Sequence, residues 1–236
     1  MARTLVESGR PVHPRRQAAW AISGGTLEAL KWIGLVLMLL DHANKVLFHE
    51  ASASVYALGR LVMPLFAFVL MYKLARRGAL AAGVHVRVMK RLAVFALLAS
   101  PAFVLLVGWW PLNILATLLV ATLMVWLLEK GGRARRTLAA AIFILAGAWV
   151  EFWWPGLLCC LGAWAFCRNP GVARLLAWAL ATAFLAVING NFAALAVLPL
   201  VWGATQVDLP IRRRRWLFYA FYPAHLSALA LLHHVA

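Results

Sequence analysis

The segment Leu35 to Glu50, LVLMLLDHANKVLFHE, places an aspartate, a histidine, an asparagine and a lysine within five residues of an apolar run. On a helix Asp41 and Lys45 are neighbours at i,i+4, and His42 and His49 share a face at i,i+7. Imidazole changes charge near neutral pH, so a histidine beside a carboxylate is acid–base chemistry in outline. Two more ionisable groups stand in apolar surroundings: Arg60 in GRLVMPLF, and His225 in FYAFYPAHLSALALLHH, where Tyr219, Tyr222 and Pro223 accompany it. Asn113, Glu151, Asn189 and Asn191 open or close further apolar runs. Groups of this kind inside hydrocarbon are costly and default to a functional reading, with helix tethering as the competing one. A metal site from Asp41, His42 and His225 rests on one carboxylate and two histidines from distant segments. That donor set is too sparse to adopt, and no metal is expected.

These residues need elements to hold them. The chain has 236 residues, 65% hydrophobic and 13% charged, with a mean hydropathy of +0.85. A water-soluble domain is nearer one half apolar and one quarter charged. Long apolar runs predict an all-α, polytopic transmembrane bundle, and a membrane β-barrel would alternate over short strands instead. Nine runs are expected at 27–48, 52–72, 88–108, 111–128, 138–152, 155–167, 172–188, 191–206 and 216–235. Residues 27–236 make one membrane domain behind a basic tail, 1–26, which lacks the apolar core and cleavage site of a signal peptide. The fifth and sixth runs are short for a crossing of about 20 residues.

The net charge of +16 would suggest nucleic acid in a soluble protein, but its placement gives a different reading. Basic residues cluster before run one and between runs two and three, four and five, six and seven, and eight and nine. The intervening connections carry no Lys or Arg. The positive-inside rule then puts the N-terminus of a multi-pass protein in the cytoplasm and its C-terminus on the periplasmic or external side. Lys31, Lys45 and Arg60 are the cations outside those clusters. The two lysines lie near helix ends and snorkel. Arg60 lies about 12 Å into the second helix at 1.5 Å per residue. Asp41 and His42 reach similar depth from the first, so Asp41 is expected to face Arg60. Cys159, Cys160 and Cys167 fall in one apolar run, without disulfide or zinc spacing, and read as fillers.

LKWIGLVLMLLDH, LGRLVMPLFAFVL, KRLAVFALLASPAF, NILATLLVATLMVW and FYAFYPAHLSALALL, taken in order, resemble the TraX family, including its TrbP-type members. The likeness runs from about Leu30 to Leu232 and is loosest over 129–188. It implies a multi-pass protein of the bacterial inner membrane, with its C-terminus periplasmic, that acts in conjugation and acetylates the N-terminal amine of pilin, with acetyl-CoA as co-substrate. The implied partners are pilin, the lipid bilayer and other conjugative membrane proteins. Amide formation needs a base and a donor for the developing oxyanion. His42 is the first choice of base and His225 the second. Asp41 orients a histidine or balances Arg60, and Arg60, Asn113 or Tyr222 donates to the oxyanion. Asn44, Asn113, Tyr222 and Glu151 are candidates for binding the acceptor. Lys90, Arg91 and the run Arg212 to Arg215, with Arg212 and Arg215 at its ends, are candidates for the coenzyme phosphates. The histidines lack an adjacent serine or cysteine nucleophile, which favours direct transfer. The alternatives are a pilin chaperone or assembly scaffold without chemistry, a different pilin-maturation transfer, and a proton-relay transporter built on Asp41 and His225.

Overall fold

The computed structural model describes residues 20–214 and 216–235. The tail arginines Arg3, Arg10, Arg15 and Arg16, and the coenzyme candidate Arg215, lie outside the described residues. The described chain is helical: α1 (Gly24–Val46), α2 (Ala53–Gly59), α3 (Val62–Leu74), α4 (Val84–Leu106), α5 (Ile114–Lys130), α6 (Arg133–Gly147), α7 (Trp153–Arg168), α8 (Val172–Ala183), α9 (Ala186–Asn189), a 3-10 turn (Ala193–Ala196) leading into α10 (Val197–Ala204), and α11 (Leu217–Val235). Helices α2 and α3 form one broken rod, as do α8 and α9, so the elements follow the nine apolar runs. Ala53–Leu74, Val84–Leu106 and Val172–Asn189 are long and apolar enough to cross a membrane. Helix α1 equals the longest of them at 23 residues. What sets it apart is charge: Glu28, Lys31, Asp41 and Lys45 all lie within it. Helices α6 and α7 have 15 and 16 residues, about 22–24 Å at the helical rise. That is less than a hydrocarbon core of roughly 30 Å.

Unlike in a soluble protein, large apolar side chains also cover the outside of the bundle. Val94, Leu97, Leu98, Val104 and Leu105 form an exposed stripe at helical spacing on α4, and Leu176 and Leu180 do so on α8. The interior is mostly apolar as well, with a minority of buried polar residues set into it, and two buried threonines bond within their own helices. Thr122 and Thr182 donate to the carbonyls of Leu118 and Trp178, four residues back. Cys159 and Cys160 are buried and unbridged in the core, and the half-buried Cys167 is also a free thiol.

The connections separate into two ends. At the basic end Glu129 accepts from Arg168 and from the Trp164 indole, and the backbone N–H of Arg214 donates to Glu28. Thr26 clasps Val207 and Leu209, and a Cβ on Gly25 would overlap the Leu209 carbonyl, so a glycine is needed where that loop crosses α1. At the neutral end the Leu112 N–H donates to the Trp149 carbonyl and the Glu151 N–H to the Leu112 carbonyl, both at 2.7 Å. This backbone bridge carries Glu151 against the start of α5.

Candidate functional site

The site forms where α1, α2, α5 and α11 converge toward the neutral end. Asn44 is the clasp between the first two. Its amide donates to the Ser52 carbonyl and accepts from the Ser52 N–H, each at 3.1 Å. The turn this closes returns α2 along α1. Gly59 then lies so close to Asp41 that a Cβ there would overlap the carboxylate. That contact admits Arg60, whose Nη2 donates to Asp41 Oδ1 at 2.7 Å, with both side chains 8% exposed. Lys45 Nζ takes the other oxygen, Oδ2, at 3.0 Å. The α2–α3 rod breaks at Arg60, and Arg60 Nε satisfies the Tyr56 carbonyl at 3.1 Å. Exposing that carbonyl unpaired to hydrocarbon would be costly. Tyr56 completes the clamp: its ring lies 4.1 Å below the guanidinium, and its hydroxyl donates to the Asn189 carbonyl.

The two histidines meet directly. His42 Nδ1 and His225 Nε2 are 2.7 Å apart, with ring planes 12° from parallel. The hydrogens follow from the third partner. His225 Nδ1 faces the Phe221 carbonyl at 3.0 Å, and a carbonyl only accepts. His225 therefore carries its proton on Nδ1, and its Nε2 accepts from the Nδ1–H of His42. The remaining lone pair of the neutral pair lies on His42 Nε2. Asp41, expected to serve a histidine or balance Arg60, is engaged by Arg60 and Lys45, and the partner of His42 is His225. Phe221 and Tyr222 pack on the His225 ring at 5.0 and 5.5 Å.

Glu151 and Tyr222 form the third group. Glu151 and Tyr222 both lie near the backbone N–H of Ile114, in the first turn of α5. Asn113 caps α5 by accepting from the N–H of Leu115, and its amide donates to Ala96 and Ser100 on α4. The cap thus leaves the Ile114 N–H to the site. Glu151 Oε2 is buried with no hydrogen-bond partner among the described residues.

A cavity of about 250 Å³ runs toward this constellation from the basic end. Its mouth carries Lys31, Lys73, Arg76 and Arg213 together with Glu28, which pairs with Lys31, and its deep end reaches Met38, Ile114 and Tyr222. Met38 is four residues before His42, and Tyr222 three before His225, so the cavity and the histidine pair lie along the same faces of α1 and α11.

A family model described as TraX protein matches residues 26–233, nearly the whole chain. The chain belongs to the TraX family. No curated protein and no solved structure matches it. Membership connects this TraX protein with pilin processing in conjugation. The structure distributes the sequence candidates unevenly across it. Asp41, His42, Arg60, Tyr222, His225 and Glu151 converge. Asn44 and Asn113 lie beside them, with their side-chain amides committed to the turn and the cap. Lys90 and Arg212 are exposed, and Arg91 stacks over Trp216 at 4.9 Å. None of these three lines the cavity described above; among the described residues its cations are Lys31, Lys73, Arg76 and Arg213. Tyr56, Gly59 and the Ile114 N–H were not singled out by sequence. Arg60 and Tyr56 at i,i+4 were the available signal for the first.

Proposed function

We propose that this TraX protein is an inner-membrane acetyltransferase that moves an acetyl group from acetyl-CoA to the N-terminal amine of conjugative pilin. The observation that carries the reading is the cavity with a cationic mouth whose deep end lies one helical turn from the His42–His225 pair. Basic residues favour the cytoplasmic side, where acetyl-CoA resides, so the mouth opens to the donor. The phosphates would meet Lys31, Lys73, Arg76 and Arg213, and the thioester-bearing arm would follow the apolar wall.

The chemistry at the deep end balances with this chain's own groups. The neutral pilin amine attacks the thioester carbonyl, forming the C–N bond and an oxyanion. The Ile114 N–H and the Tyr222 hydroxyl are positioned as donors to that oxyanion. His42 Nε2 takes the proton that the nitrogen sheds. Its Nδ1–H, bonded to His225 Nε2, lets the positive charge be shared across the pair, with the Phe221 carbonyl stabilising the far end. Collapse breaks the C–S bond, and the coenzyme leaves as a thiolate that the imidazolium reprotonates. Asp41, Arg60 and Lys45 hold α1 and α2 in place and set the local field. Glu151 pairs with the incoming ammonium and takes the first proton it sheds, leaving the neutral amine that attacks.

Intact-mass spectrometry of pilin from cells with and without this protein tests the reading. One acetyl group is expected to disappear in the deletion strain. It should remain absent when His42→Ala replaces the wild-type chain at equal abundance, since a general base contributes about 10²–10⁴-fold. Pilin of unchanged mass in the deletion strain would indicate a scaffold without chemistry, and a different mass shift would indicate another maturation step.

A further inference from the structure

A second cavity, of about 180 Å³, opens at the basic end on the other side of α3. Its walls are Trp20, Phe68, Tyr72 and Phe166, and its rim carries Arg76 and Arg77. The aromatic walls are locked. Trp20 meets Phe166 edge-on at 4.9 Å, and Phe166 and Phe68 each stack on the buried Trp178, at 5.5 and 5.3 Å. The Tyr72 hydroxyl accepts from the Ile22 N–H at 2.8 Å, which pins the segment before α1 to α3. Phe68 and Tyr72, at i,i+4, present one face of α3 to this cavity, while Phe66, Leu70 and Lys73 present another to the donor cavity. Arg76 borders both. It stands just past the end of α3, where the path round the helix is shortest.

Phe68 and Phe166 are buried behind the cavity, and the half-buried Trp20 and Tyr72 keep ring surface on it; such a surface takes the flat face of a nucleobase, and an arginine pair at the rim takes phosphate. In coenzyme A the pyrophosphate lies between the adenosine and the pantetheine arm. The two cavities and their shared arginine lie in that same order. We infer that the Trp20–Phe166 cavity is the adenosine 3′,5′-bisphosphate subsite of the acyl donor, with Arg76 and Arg77 on its phosphates, so that bound coenzyme bends round the basic end of α3. This rests on the acetyl-CoA reading for its occupant, and it adds a location and a set of residues that the acetyl-transfer site does not contain.

The test uses the full chain in nanodiscs and two probes that divide the coenzyme. Adenosine 3′,5′-bisphosphate alone binds the wild-type chain and is displaced by CoA. Arg77→Glu and Phe166→Leu each weaken that binding by tenfold or more; Arg77 is exposed, so the first of these does not disturb the core. The preference for acetyl-CoA over S-acetylpantetheine, compared as kcat/KM, falls by a similar factor in both variants. Absence of bisphosphate binding, or an unchanged preference in both variants, overturns the subsite. Displacement of the bisphosphate by phosphatidylglycerol nanodiscs but not by CoA also overturns it, by making the cavity a lipid headgroup site. Bisphosphate binding with Arg77 dependence, but no acetyl transfer from either donor, leaves the subsite standing and removes the acetyltransferase reading instead.

Discussion

Asp41 receives two cations on two different oxygens, and their surroundings differ. Arg60 is as buried as the carboxylate, whereas Lys45 is 34% exposed. A buried charge that loses its partner costs about 3–5 kcal/mol, and a solvent-reaching ion pair is worth about 0–1 kcal/mol. Asp41→Ala strands the Arg60 guanidinium and is expected to destabilise the protein toward the upper of those ranges. Lys45→Ala should stay within the lower one. Unfolding in mixed detergent micelles, followed by circular dichroism, measures both, and equal losses would show that the two contacts share one environment. The Asp41–Arg60 contact was legible in the sequence because depth along two antiparallel helices can be counted and an unpaired charge at that depth is prohibitive. The His42–His225 bond was not. It joins residues 183 apart, and each histidine reads in sequence as an independent candidate base. The assignment of the free lone pair to His42 came from the Phe221 carbonyl, a backbone group with no signature in residue type.

At the scale of elements, the site depends on how closely α1 and α2 approach. Gly59 is the point of contact. Gly59→Ala drives a methyl into the Asp41 carboxylate, and the rigid helix on each side leaves little room to yield. Overpacking of this kind costs roughly 1–3 kcal/mol, and here it also separates Asp41 from Arg60. Loss of stability and loss of pilin acetylation are expected together. Gly203→Ala on α10, where a Cβ meets open space, serves as the control and should change neither. Retention of full activity by Gly59→Ala would mean that the close approach does not hold the site. The run 52–72 reads in sequence as one continuous helix, whereas the structure interrupts it between Gly59 and Val62. Hydropathy averages over that break, because Arg60 repairs it with its own side chain and the flanking residues stay apolar. The same averaging makes Asn113 and Asn44 look like available polar groups. Their bonds to backbone appear only once the turns are formed.

The whole molecule is polarised along its length, and that polarity sets the direction of supply. Lys31 at the cavity mouth and His42 at the site are separated by about 16 Å along α1 at the helical rise. In the proposed reaction a donor held by its phosphates at the basic end extends its acyl group well into the bundle, while the acceptor reaches the histidines from the neutral end. The basic loops were legible as topology signals. The cavity was hidden, because it arises from packing between helices distant in sequence: Lys31, Lys73, Arg76 and Arg213 belong to three separate stretches of chain. The proposed acetyl transfer has the basic end facing the cytoplasm, so the side from which coenzyme enters becomes a measurable property. Inverted membrane vesicles, which turn the cytoplasmic face outward, are expected to transfer radiolabelled acetyl from added acetyl-CoA to pilin already in the membrane. Sealed right-side-out vesicles should transfer none until they are permeabilised, because acetyl-CoA is too highly charged to cross the bilayer unaided. Equal labelling in the two sealed preparations would mean that the cavity opens to both sides. Labelling in right-side-out vesicles alone would invert the protein and place its cationic mouth outside.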